Sequence, residues 1–301
     1  MLWITRPVYG SVRMAGMSAT VHVLVSDPAR LTCVLITGSD RALLVDTGSG
    51  PDQAGRILSA VRDLTDLPLI VANTHDHWDH FFGNPTFAEA GVAEFLASPA
   101  FVRDSPGSAW LQHAEASEHV LDLPSPDALV VPTRAVADGE ILDLGARRAD
   151  EASGAESAPG GGTAHRVEAH RIEAHRVEFL HMTGHTDTDL VVRAGPIVVC
   201  GDLVEEGAPP QVGLDATPLA WARSLESLLA LPDVDVFVPG HGSPVGRAFV
   251  ETQRDDLLHA AEADDASTLP TRLVGALAGD AAPAPTARVD PSSGVGVTRI
   301  L

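Results

Sequence analysis

Thr74-His75-Asp76-His77-Trp78-Asp79-His80 is the stretch that decides the reading of this sequence. Positions 75, 77, 79 and 80 offer three imidazoles and a carboxylate, a donor set that suits a borderline cation such as zinc. The continuous apolar run 67–72 just before it reads as a buried strand, which delivers the cluster to a sheet edge. There His75 and His77, two residues apart, can face the same way, while Asp79 and His80 turn toward a second point nearby. One loop can thus start two metal sites. It cannot finish them, because each ion needs about four ligands.

Further donors stand downstream in Gly184-His185-Thr186, Gly201-Asp202 and Gly240-His241-Gly242, each with a glycine directly before it that lets the backbone turn sharply. All three follow strand-like runs, so they are expected at strand ends along one sheet edge. Runs 20–25, 31–36, 42–45 and 67–72 read as strands, with an amphipathic helix at 51–64 opened by Pro51. Helical stretches follow within 85–119, then a strand at 128–131 and a turn entering a strand at 138–145. The second half predicts strands at 176–181, 190–193, 197–200 and 234–238, and helices at 218–231 and 249–262. Strands and helices recur twice with a donor-bearing loop each time, which predicts an α/β (α+β) fold of two halves packed as an αβ/βα sandwich.

The expected organisation is one domain over 1–270, interrupted at 146–175, and a partly flexible Pro/Ala/Gly-rich tail over 271–301. The interruption begins with an aperiodic Ala/Gly/Glu/Ser stretch and continues as three AHRxE copies starting at Ala164, Ala169 and Ala174. A period of five matches neither 3.6 nor 2, so the repeat reads as low-complexity expansion. Its His165, His170 and His175 are expected to be solvated.

The series Asp46-Thr47-Gly48, Thr74-His75-x-His77-x-Asp79-His80, Gly184-His185-Thr186, Gly201-Asp202 and Gly240-His241-Gly242 resembles the motif order of the metallo-β-lactamase superfamily. The likeness spans about residues 42–242. It implies a four-layer αβ/βα sandwich and a dinuclear zinc hydrolase chemistry in which a bridging hydroxide cleaves an ester, thioester, lactone or amide of a small molecule. On that pattern His75, His77 and His185 would hold one ion, and Asp79, His80 and His241 the second. Asp202 would bridge them, Asp46 would order the ligand loops, and Asp79 would also be catalytic. Two Zn2+ per chain are implied, with iron or manganese as alternatives. Asp202 stands where some lactamases carry cysteine, and Thr183 where many members carry proline. The chain is accordingly more similar to the glyoxalase II-like, lactonase-like and thioesterase-like hydrolases. Other readings of the same residues are a phosphodiesterase, a mononuclear-iron persulfide dioxygenase-like enzyme on His75, His185 and Asp202, and a metal-binding interaction protein.

Composition narrows these readings. With 20 Lys+Arg against 41 Asp+Glu, the formal net charge of −21 repels polyanions, which argues against a nucleic-acid substrate. No run reaches the ~18 apolar residues of a membrane span, and residues 1–16 hold no apolar core of a signal peptide. Two cysteines, Cys33 and Cys200, sit in apolar runs as small buried hydrophobes, so a cytoplasmic location is expected. Of the remaining histidines, His22, His113, His119 and His259 read as surface or satisfied core positions, and His181 as a strand residue outside the ligand set. Trp78, Phe81 and Phe82 could wall a pocket or simply pack under the loop. Glu205-Glu206 reads as a solvated loop.

Overall fold

The computed structural model describes residues 20–145, 175–263, 269–270 and 296–300. Residues 1–19, nearly all of the interruption (146–174, with His165 and His170) and residues 271–295 of the expected tail lie outside these residues.

β1 (Thr20–Ser26) and β2 (Leu31–Thr37) form an antiparallel hairpin, and β2 pairs antiparallel with β3 (Ala42–Val45). β4 (Leu69–Ala72), β5 (Phe95–Ala97) and β6 (Arg134–Ala135) then add in parallel. The connecting helices are α1 (Pro51–Leu64), the short α2 (Trp78–Phe81), α3 (Asn84–Glu89) and α4 (Pro99–Ala116). Parallel neighbours need such crossovers, since a tight turn cannot return the chain to the same end.

The second half runs β7 (Ile141–Asp143), β8 (Arg176–His181), β9 (Leu190–Ala194) and β10 (Ile197–Glu205) as an antiparallel meander. α5 (Pro218–Ala230) crosses to β11 (Val236–His241), parallel to β10, and α6 (Arg247–Ala263) follows. The halves join edge to edge through a single pair, His241 against Leu31. In the tail, β12 (Gly296–Ile300) pairs parallel with β1.

Alternation along the strands explains the layering. Val34 and Ile36 of β2 and Val199 of β10 point into one shared core with Val45, Ile70, Phe179, Val192 and Val238. Their neighbours point the other way: Cys33 and Leu35 meet Ile57 and Val61 of α1, while Val198 and Cys200 meet Trp221 of α5 and Leu257 of α6. The sheet therefore curls on itself and is covered by helices on both outer faces, the predicted αβ/βα sandwich. Strands buried on both faces account for runs that are apolar throughout rather than alternating. Both cysteines are buried and unpaired, as their apolar settings predicted.

Two expectations change. Residues 128–131 are no strand: Pro126–Ala128 form a 3-10 turn, and the run is bracketed by Pro126 and Pro132, which lack the N–H a ladder needs. β10 does not stop at Cys200 but continues to Glu205 through a bulge at Gly201, whose φ is 55°. Asp202 is thus carried inside a strand rather than after one.

Candidate metal centre

β4 ends at Ala72, and the following loop carries His75 and His77 before α2 presents Asp79 and His80. This loop is fixed from beneath by buried polar groups. Asp46 Oδ1 accepts the Thr74 amide N–H at 2.8 Å, and Oδ2 accepts the Thr74 hydroxyl at 2.8 Å. The same Oδ2 lies 2.9 Å from His80 Nδ1, and Thr74 Oγ1 lies 3.0 Å from His75 Nδ1. One carboxylate that can only accept therefore places the proton on Nδ1 of both rings, leaving each Nε2 turned inward. Asn84 supports the loop further by bonding Thr47 at 2.8 Å and Asn73 at 2.8 Å.

The second half contributes singly. His185 follows β8 in a loop whose Asp189 accepts the amides of His185 and Thr186 and the Thr186 hydroxyl. Asp76 Oδ1 accepts the Thr188 hydroxyl at 2.8 Å, which ties this loop to the first. His241 ends β11, and its Nδ1 is 3.0 Å from the Ala29 carbonyl in the β1–β2 turn. A carbonyl cannot donate, so Nδ1 carries the proton and Nε2 is turned into the cluster. Gly240 has a role other than a turn: a Cβ there would overlap the Asp202 carboxylate. Among the three glycines, Gly184 and Gly201 do have positive φ, at 140° and 55°.

These elements bring all seven motif donors together in two abutting groups, His75/His77/His185/Asp202 and Asp79/His80/His241, with the donor atoms of each group within 4.8 Å of one another. Asp202 faces both. Its Oδ2 is 3.9 Å from His75 Nε2, 3.6 Å from His185 Nε2 and 3.5 Å from His241 Nε2, and its Oδ1 is 3.2 Å from His80 Nε2. Asp79 Oδ2 lies 3.2 Å from His241 Nε2. His75 Nε2, His80 Nε2 and Asp202 Oδ1 are buried with no hydrogen-bond partner. Buried polar atoms left unpaired are costly, and convergent orphans of this donor type fit a cation.

Electrostatics divide the groups. Burial holds the His75 imidazole well below the usual range and His185 at about 4, so both rings are neutral and ready to ligate. At His80 and His241 burial pulls the same way, but Asp202 and Asp79 outweigh it and raise both. Asp79 is held down to about 2, because His80 and His241 overcome the opposing effect of its burial.

Several side chains fall elsewhere than expected. His175 is buried, not solvated, with its Nε2 3.4 Å from Asp143 Oδ1; the strand β8 that follows draws it inward. Glu205 and Glu206 are also buried, because β10 runs on to Glu205 and Glu206 directly follows it. Glu205 Oε1 accepts the Gln211 amide at 2.8 Å, and Glu206 Oε2 accepts the Ser243 amide and an Arg30 Nη2 donor, each at 2.9 Å. Burial, with Asp202 nearby, pushes the Glu205 carboxyl well up. Phe81 and Phe82 are fully buried and pack with Phe101, while Trp78 stacks on His119 with ring centroids 5.8 Å apart. His181 Nε2 lies 2.8 Å from the Val136 carbonyl, outside the cluster. Asp215, on the loop before α5, places Oδ2 2.9 Å from His77 Nε2. No motif distinguishes it in a chain with 41 Asp+Glu, so its place in the site is not legible in the sequence.

A curled sheet between helices, with paired His/carboxylate clusters at one edge, defines a class of metal-binding hydrolase folds. The family model described as the metallo-beta-lactamase superfamily matches residues 28–241, and the chain belongs to that superfamily. It is 27% identical over 241 residues to a "Linear primary-alkylsulfatase" of Pseudomonas sp. (strain ATCC 19151), covering 72% of this chain but 42% of that protein, well under its full length. It is 25% identical over 237 residues to "Acyl-coenzyme A thioesterase MBLAC2" of Gallus gallus, covering 70% of this chain and 72% of that one. Among solved structures, a metallo-beta-lactamase from Hirschia baltica superposes with a TM-score of 0.51 at 20% identity, covering 82% of this chain and 96% of that chain. That likeness establishes the fold.

Proposed function

We propose that the protein is a two-metal hydrolase that cleaves an ester-type bond, thioester, lactone or amide included, in a small molecule. The carrying observation is the Asp202 carboxylate, which stands between the two donor groups with oxygens directed at both. His75, His77 and His185 would hold one ion and Asp79, His80 and His241 the other, with Asp202 shared. Zinc suits this imidazole-rich set. When bound, two such ions supply a water that loses its proton near neutral pH and a Lewis acid for the substrate oxygen. Asp79 is ionised and partly exposed, so its Oδ2 can accept a hydrogen bond from the attacking water and orient it. Asp46 and the Ala29 carbonyl keep His80 and His241 in the tautomers that turn Nε2 inward.

The names of both relatives, one a sulfatase and one a thioesterase, support an ester-type substrate. A net charge of −21 favours a small molecule over nucleic acid, and two buried free thiols accord with a reducing cytoplasm. The test is metal quantification together with a panel of thioesters, lactones, β-lactams, alkyl sulfates and phosphodiesters. About two zinc ions per chain and hydrolysis of a carbonyl or sulfate ester, both lost in His75→Ala, are expected. One iron per chain, or turnover confined to phosphodiesters, overturns the proposal.

A further inference from the structure

Four of the clustered imidazoles have one ring nitrogen engaged by the protein and the other turned inward. For His75 the backing group is Thr74 Oγ1, itself bonded to Asp46; for His80 it is Asp46; for His241 it is the Ala29 carbonyl. His77 is backed from a different direction. Its Nε2 lies 2.9 Å from Asp215 Oδ2, while its Nδ1 lies 2.9 Å from His185 Nε2, inside the cluster. His77 is therefore the one imidazole of its loop that is held through Nε2 and turns Nδ1 into the cluster, and the group that sets this comes from 138 residues away.

The position of Asp215 is itself held. The Thr217 amide donates to the Gly184 carbonyl at 2.8 Å, anchoring the loop beside His185. A Cβ on Gly213 would come within 2.6 Å of Asp215 Oδ1, so the carboxylate folds back over a residue without a side chain. A carboxylate that accepts from Nε2–H fixes the ring tautomer, increases the basicity of Nδ1 and limits rotation of the imidazole.

We infer that Asp215 is a positioning residue for the ion at His75, His77 and His185: it selects Nδ1 of His77 as the donor atom and raises the affinity of that ion alone. The inference rests on the two-metal reading above. It also assigns the loop between β10 and α5 to the centre, although that loop supplies no donor of its own.

The experiment measures zinc affinity of the full chain by competition with a chromogenic chelator for wild type, Asp215→Ala and Asp215→Asn, alongside unfolding temperatures of the metal-free proteins. Asp215→Ala is expected to weaken one of the two ions by about 10- to 100-fold and leave the other unchanged. Asp215→Asn, which keeps an acceptor oxygen without the charge, should fall between. A 1H–15N spectrum of the zinc-loaded wild type should show the His77 proton on Nε2, and Asp215→Ala should broaden or lose it. Wild-type affinity in Asp215→Ala, or equal weakening of both ions, overturns the inference while leaving the two-metal reading intact. Wild type that binds no zinc overturns that reading and this inference with it.

Discussion

The first half of the sheet delivers His75, His77, Asp79 and His80 from one short loop, whereas the second half delivers His185, Asp202 and His241 from three separate places. The two halves solve the positioning problem with different physics. The single loop is held by a buried polar network, Asp46 with Thr74 and His80, and Asn84 with Thr47 and Asn73. The scattered donors have single hydrogen-bonded supports, Asp189 under His185 and the Ala29 carbonyl behind His241, and depend besides on backbone shape: a bulge at Gly201, a left-handed residue at Gly184, and the missing side chain at Gly240. Hydrogen bonds can orient several rings that share one loop. Donors arriving on separate elements must instead be brought close by the backbone.

Breaking the shared member should cost most. Asp202→Ala removes the carboxylate that faces both groups, so both ions should weaken and hydrolysis should fall by about 10^3-fold or more, given the several kcal/mol such centres supply. Steady-state kinetics with metal quantification checks this, and near-wild-type turnover would refute a shared role. Gly240→Ala attacks the backbone device of the second half. Its Cβ must displace Asp202, and a misplacement of about 1 Å costs on the order of 100-fold in rate; a lowered kcat with an intact fold by circular dichroism is the expected result.

Asp46→Asn attacks the polar device of the first half. An amide can donate where the carboxylate only accepted, so the tautomers of His75 and His80 are no longer enforced, and zinc affinity should drop by about 10- to 100-fold. Acidity should act more on the second donor group than on the first. His80 and His241 hold protons above the ordinary histidine range, with the neighbouring carboxylates outweighing burial, whereas His75 and His185 are held neutral by burial. As pH falls, protons compete with metal at His80 and His241 first, so one ion should weaken by up to about a hundredfold per unit, a factor of ten for each imidazole proton displaced, before the other responds. Calorimetry in buffers of different ionisation enthalpy should register proton release for that ion; proton release equal for both ions would break the contrast. The smallest effect belongs to Arg30→Ala. This half-exposed side chain pairs with the buried Glu206 carboxylate at 2.9 Å, so its loss should lower stability in thermal unfolding by about 1–3 kcal/mol but leave zinc affinity unchanged, because His241 is oriented by the Ala29 carbonyl rather than by Arg30.

The same contrast explains what could be read along the chain. His75 to His80 announce themselves because four donors in six positions form a local pattern. α1 and β8 match their expected bounds because apolar spacing and end signals are local too. The strand expected at 128–131 fails for the opposite reason: its composition is strand-like, but the flanking prolines leave the extended chain outside the ladder. His175, Glu205 and Glu206 are polar residues that composition assigns to solvent, yet their burial depends on which strands continue and what covers them.

By itself the sequence determined the donor types, their order and the two-half sandwich, since each of these is written in short-range spacing, while the support at Asp46 was implied only by the family resemblance. Tertiary structure decided that Asp202 lies between both groups, that Gly240 serves as space rather than as a turn, and that Asp215 backs His77. Those three facts are contacts between residues far apart in the chain. They follow from how β10 bulges against β11 and how the loop before α5 is pinned beside Gly184, and such packing has no counterpart in any local run of residues.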